Sequence, residues 1–164
     1  MSQYSIKLDS TKPYRYNFLA TLFNIRKNKF ENFETTVMID TGCFNTMIDK
    51  RLLPNHCVPV KNLTLSIGIG GIKGVAQGYV LKKMKIGDVV LDNIVVFAFD
   101  FNGELRDHVL LGANVLNCWD FNLSRSDNTL TFTERTTALH TNTDNPYRYA
   151  FDGKGRVMAF QEIE

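Results

Sequence analysis

Residues Thr35 to Leu53 read TTVMIDTGCFNTMIDKRLL, and this stretch decides how the chain is understood. An apolar, β-prone run drives straight into Asp40-Thr41-Gly42. A carboxylate at the inner end of a hydrophobic strand is costly to bury, so it has to be neutralised, paired or put to chemical use. Thr41 sets a hydroxyl beside it that can both donate and accept. Gly42 allows a tight turn and lets backbone amides approach the carboxylate. The bland alternative is an ordinary β-turn, where Asp and Gly are common. By average residue usage the tripeptide turns up by chance in about one of 30 to 50 chains of this length. The reading therefore rests on what accompanies it.

Two companions lie downstream. Residues 65–74, LSIGIGGIKG, form a glycine-rich tip flanked by strand-like sequence. Residues 109–116, VLLGANVL, form an apolar strand that ends at Gly112 and enters a short helix. The rest of the chain is β-like. Short runs rich in Val, Ile, Phe and Thr predict strands at Asn17–Ile25, Thr35–Ile39, Leu63–Ile67, Ala76–Ile86, Val89–Phe99, Val109–Leu111, Asp120–Leu123 and Thr129–Thr133. Turn-like pieces separate them, among them Arg26–Asn32 and Gly87-Asp88. Such spacing predicts an all-β barrel or sandwich. Short helices are expected at Asp49–Leu53, stopped by Pro54, and at Ala113–Cys118. Residues 136–164 differ in composition: a polar linker precedes YRYAF-DGKG-RVMAF, which reads as a β-hairpin turning at Asp152–Gly155. The domain expectation is a main lobe at 1–135 and this appendage at 136–164. KPYRYNF at 12–18 is echoed by NPYRYAF at 145–151, and both copies could lie at the margin of one sheet.

Composition narrows the function classes. The chain has 164 residues, 44% hydrophobic and 22% charged, which excludes wholesale disorder. Nineteen Lys and Arg against 17 Asp and Glu give a net charge of +2, too balanced for phosphate attraction to dominate, so nucleic acid is not the expected partner. No window approaches a membrane span and the polar start lacks a signal-peptide core, so a cytoplasmic location is expected, with no membrane partner. Three cysteines cannot all pair internally, and the adjacent His56-Cys57 is poor geometry for one tetrahedral zinc. No metal or cofactor is called for.

Taken in order, these features resemble the retroviral-type, retropepsin-like aspartic proteases. That family runs an apolar strand into D-[ST]-G, then a hydrophobic-Thr-hydrophobic segment, a flap with a glycine-rich tip, two apolar residues and Gly, and a short helix. The counterparts here are Asp40-Thr41-Gly42, Thr46-Met47-Ile48, the flap Ile67-Gly68-Ile69-Gly70-Gly71, and Leu110-Leu111-Gly112. The resemblance covers about Phe18 to Phe132. It implies an all-β acid-protease barrel with short helices, one lobe per chain, and an aspartic endopeptidase. Asp40 would be catalytic, with Thr41, Gly42, Cys43 and Gly112 as support, and the flap would close over an extended peptide or protein substrate. Only one D-[ST]-G is present, so the second carboxylate would come from Asp40 of a homodimeric partner. Cys43 stands where Ala or Ser is usual. Phe44 and Ala113 replace the acidic residue and Arg that many viral members pair.

Other readings were weighed against this one. The glycines at 68, 70, 71 and 74 miss the phosphate-loop patterns, and no Ser or Cys has triad partners at a recognisable spacing. A carboxylate near Cys43 works against a reactive thiolate. The alternative function is a non-proteolytic module of the same fold used for dimerisation or peptide binding. The intact Asp-Thr-Gly favours the enzyme.

Overall fold

The computed structural model describes residues 3–12, 15–69, 72–116, 119–134, 149–151 and 157–160. Strand β1 spans Gln3–Lys7, β2 Asn17–Arg26, β3 Lys29–Ile39, β4 Thr46–Asp49, β5 Val58–Ile69 and β6 Ile72–Ile86. Then come β7 at Val89–Phe99, β8 at His108–Leu111, helix α1 at Ala113–Leu116, β9 at Trp119–Ser124 and β10 at Thr129–Glu134. Two short strands, β11 at Tyr149–Phe151 and β12 at Val157–Phe160, follow. The all-β expectation holds. The main sheet runs β2-β3-β8-β4-β7-β6-β5, and pairing of β2 with β6 at Thr21–Lys85 and Leu22–Met84 closes its first six strands into a barrel. Closure leaves β5 as the edge strand of this sheet, paired with β6.

Alternation fills the barrel. Leu22, Ile48, Met84, Leu91, Ile94, Val96 and Phe97 are buried to 1% exposure or less. Each such large side chain stabilises the fold by roughly 1.5–3 kcal/mol. From Ile94 to Phe99 every residue of β7 is buried, on both faces of the strand. Trp119, Leu130 and Phe132 extend the core into the separate β1-β10-β9 sheet.

Several local expectations change. The turn predicted over Arg26–Asn32 shrinks to Lys27-Asn28, at φ 50° and 62°. Two consecutive left-handed residues match the twist of a tight hairpin, so residues 29–34 pair with β2 instead of looping. The helix predicted at Asp49–Leu53 is split. Asp49 ends β4, and a single 3-10 turn at Lys50–Leu52 follows, with the Asp49 carboxylate accepting the Arg51 N–H. Strand β1 was not expected; it forms because β10 offers a full antiparallel register from Gln3–Thr133 to Lys7–Thr129. Among the described residues the repeated heptapeptides do not share a sheet: Asn17 and Phe18 of the first lie in β2, in the barrel, while Tyr149–Phe151 of the second pairs with β12. Cys118, the linker expected at 136–146 and the turn expected at Asp152–Gly155 lie outside the described residues.

Candidate active site

Asp40 is placed by strand pairing. β3 runs parallel to β8 with Ile39 opposite Leu111, and the Asp40 N–H continues the ladder to the Leu111 carbonyl at 3.0 Å. The next segment must then cross β8, because β4 sits on its far side, antiparallel to β8 and parallel to β7. The loop 40–45 makes that crossing. Asp40 is half-buried, its Oδ1 accepting the Gly42 N–H at 3.2 Å, and its carbonyl accepts the Cys43 N–H at 3.4 Å. Thr41 and Gly42 are exposed. Gly42 has no left-handed φ, and a Cβ there would meet nothing closer than Asp40 Oδ1 at 3.6 Å. Within one chain, then, the turn does not itself demand glycine; Gly42 contributes its N–H.

Gly112 is different. A Cβ on it would lie 2.5 Å from both C and O of Asn45 and 2.8 Å from the Phe44 carbonyl. Backbone meets backbone here, so only glycine fits. Around it the two loops are zipped together. Ala113 N–H donates to Cys43 O at 2.8 Å and Asn114 N–H to Phe44 O at 2.7 Å. Thr46 Oγ1 accepts the Gly112 N–H at 3.1 Å and donates to Asn114 Oδ1 at 2.6 Å, while Asn114 Nδ2 donates to Val95 O at 3.1 Å. Thr46 and Asn114 are both buried. Each buried polar group lost from such a network costs about 1–3 kcal/mol, so the loop bearing Asp40 is held firmly. The half-buried Cys43 thiol donates to the Asn45 carbonyl at 3.2 Å. Burial pushes its pKa up, and the Asp40 charge adds to this, so it stays a neutral packing group.

The flap segment is the outer end of the β5–β6 hairpin. Leu65 and Ile67 are half-buried against the core, while Ser66 and Gly68 face outward. Ile69 pairs with Ile72 by register; Gly70 and Gly71 lie outside the described residues. Among the described residues no cluster of His, Cys, Asp and Glu could hold a metal ion, and no helix is long and apolar enough to cross a membrane.

Sequence reasoning missed two parts of this region. Asn114 sits in an apolar run, and that lone polar residue after Gly112 is the signal that could have found it. The other is Asp49, fully buried. Arg51 Nη1 donates to its two oxygens at 2.8 and 3.0 Å and to Phe101 O at 3.0 Å, and Nη2 reaches Asp100 Oδ1 at 2.7 Å. The Asp107 N–H also donates to Asp49 Oδ2. This ties the ends of β4 and β7 to the start of β8, at the opposite end of β8 from Asp40.

A closed β-barrel whose Asp-Thr-Gly loop is crossed by an apolar strand ending in Gly defines the retropepsin-like aspartic protease class. The chain belongs to the family described as "gag-polyprotein putative aspartyl protease", whose model matches residues 27–118. Among solved structures it is similar to a retropepsin-like aspartic protease from Rickettsia conorii. The two are 18% identical, with 80% of this chain and 90% of that one covered and a TM-score of 0.48. No curated protein matches.

Proposed function

We propose that this chain is an aspartic endopeptidase that works as a C2 homodimer. One observation carries the reading: in a single chain Asp40 is half-buried on a rigid crossing while Thr41 and Gly42 beside it stand exposed. One Asp-Thr-Gly supplies one carboxylate, and this route to hydrolysis takes two. A twofold axis through the loop brings Asp40 of a second copy to face the first. Two carboxylates about 3 Å apart cannot both ionise, as is established for aspartic-protease dyads in general, so the pair shares one proton. The ionised Asp40 takes a proton from water as its oxygen attacks the peptide carbonyl carbon. The protonated Asp40 gives its proton to the carbonyl oxygen. The C–N bond then breaks as the first Asp40 passes the water proton to the leaving nitrogen and the second takes a proton back from the tetrahedral hydroxyl, restoring the shared-proton pair. Thr41 would bond across the axis and hold the two loops in register.

The substrate is an extended peptide. Its backbone can pair with strand edges in the cleft, and Leu65 and Ile67 offer apolar surface to side chains near the scissile bond. The test is hydrolysis of an unbiased peptide library by wild type and Asp40→Asn, with sedimentation of both. Wild-type cleavage from a dimer, reduced about 10³-fold or more in the folded variant, is expected. Cleavage by Asp40→Asn at the wild-type rate, or full activity from a monomer, overturns the proposal. A dimer that cleaves nothing leaves the binding-module reading.

A further inference from the structure

The flap is a two-stranded ribbon with an irregular root. Past Gln77, which pairs with Ala98, β6 has no partner but β5 among the described residues, so within them residues 64–69 and 72–76 bond only to each other in the sheet. Isolated two-stranded ribbons are marginal in water, so the stance of this one depends on its root. There the register breaks. Val58 and Pro59 pair with Val80 and Tyr79, but the next pair is Thr64 with Gln77, leaving residues 60–63 opposite the single Gly78. An insertion of this kind bends the strand that carries it. Asn62, at φ 60°, completes the bend.

Two side chains hold it. Leu63 is 1% exposed, and its Cγ lies 2.5 Å from where a Cβ on Gly78 would stand, so the glycine makes room for an apolar pin. Gln77 is the clamp. Its side-chain nitrogen lies 2.8 Å from Val60 O, 3.1 Å from Leu63 O and 2.9 Å from Gly78 O. A carboxamide nitrogen carries two hydrogens, so three carbonyls share two donors. One carbonyl can leave while both hydrogens stay bonded, and the usual penalty for stranding a buried donor is avoided.

We infer that Gln77 is a positioning residue: its side-chain amide, trading among the three carbonyls at the 60–63 bulge, is the pivot that sets the angle of the flap over the Asp40 cleft. The inference rests on the flap reading above. In Gln77→Leu, backbone amides of 64–69 and 72–76 should exchange about tenfold faster or more, while Val95–Phe97 stay within about twofold of wild type. KM should rise about fivefold with kcat within about twofold, the pattern of a residue that positions without touching the reacting atoms. A mutation-free reading uses relaxation dispersion on the wild-type Gln77 side-chain NH₂. It should share one exchange rate with the ribbon amides, and a peptidomimetic aspartic-protease inhibitor should quench both. This measurement decides if the variant fails to fold. Unchanged ribbon exchange, equal acceleration in ribbon and β7, or a flat Gln77 dispersion profile overturns the inference. A wild type that cleaves no peptide sinks the proteolytic reading alone, since the exchange and dispersion measurements do not need turnover.

Discussion

The active-site crossing and the flap root use the same two parts for opposite ends. Each has a glycine with no room for a Cβ and a carboxamide side chain bonded to backbone carbonyl: Gly112 with Asn114, and Gly78 with Gln77. At the crossing the obstacle is the backbone of Asn45, which cannot yield, and Asn114 is locked to Thr46 and Val95. At the root the obstacle is the side chain of Leu63, which can change rotamer, and Gln77 has more acceptors than hydrogens. Surplus acceptors permit movement, while matched buried partners in a close-packed setting forbid it. On the proposed reading, the chain is stiff where a carboxylate would be aimed and compliant where the flap would swing.

Paired substitutions test that contrast, and the largest effect is expected at the crossing. Gly112→Ala should cost about 3 kcal/mol in denaturant unfolding, whereas Gly78→Ala should cost about 1 kcal/mol because Leu63 can shift. Equal costs would break the contrast. Next in size, Thr46→Val leaves the Gly112 N–H and the Asn114 amide short of a partner and should lose about 2 kcal/mol. Thr46→Ser keeps the hydroxyl and should stay within about 0.5 kcal/mol; a similar loss in both would point to packing rather than hydrogen bonding.

A smaller and more local change is expected at Gly74, where an added Cβ would lie 2.6 Å from the Phe99 ring. Gly74→Ala should lift the ribbon off that ring. Amide exchange should quicken in 72–76, and global stability should fall by about 1 kcal/mol. Exchange that quickens equally throughout the barrel would show that the ribbon is not a separate unit. The smallest effect is set by pH. Burial pushes the Cys57 thiol up from 9.0 to about 11. Folding thus favours its protonated form, so its contribution is complete below pH 9 and is lost as pH rises towards 11. Cys57→Ala should flatten the fall in unfolding free energy across that window; an unchanged slope would assign the fall to other groups.

How much was legible follows from the range of each interaction. Asp40-Thr41-Gly42 and Leu110-Leu111-Gly112 could be read because a polar or glycine stop after an apolar run is a local pattern. β4 could not be read as a strand. Thr46–Asp49 is only four residues long and is extended because β7 and β8 flank it. Arg51 looked like part of a helix, yet its partners include Asp100 and Phe101, some fifty positions away.

The sequence by itself determined the longer strands, the glycine-rich ribbon tip and the single Asp-Thr-Gly, since period-two alternation and backbone permissiveness act between near neighbours. Tertiary structure decided the rest. It chose which glycines are crowded: Gly112 and Gly78 have neighbours within 2.5 Å of where a Cβ would go, and at Gly42 the nearest atom would be Asp40 Oδ1 at 3.6 Å. It also set Asn114 between Thr46 and Val95, and the Gln77 amide among three carbonyls. The reason is physical. A hydrogen bond or a steric clash is fixed by distance in space: the pairing of β4 with β8 brings residues 45 and 112 together, and the broken β5–β6 register brings 60 to 77.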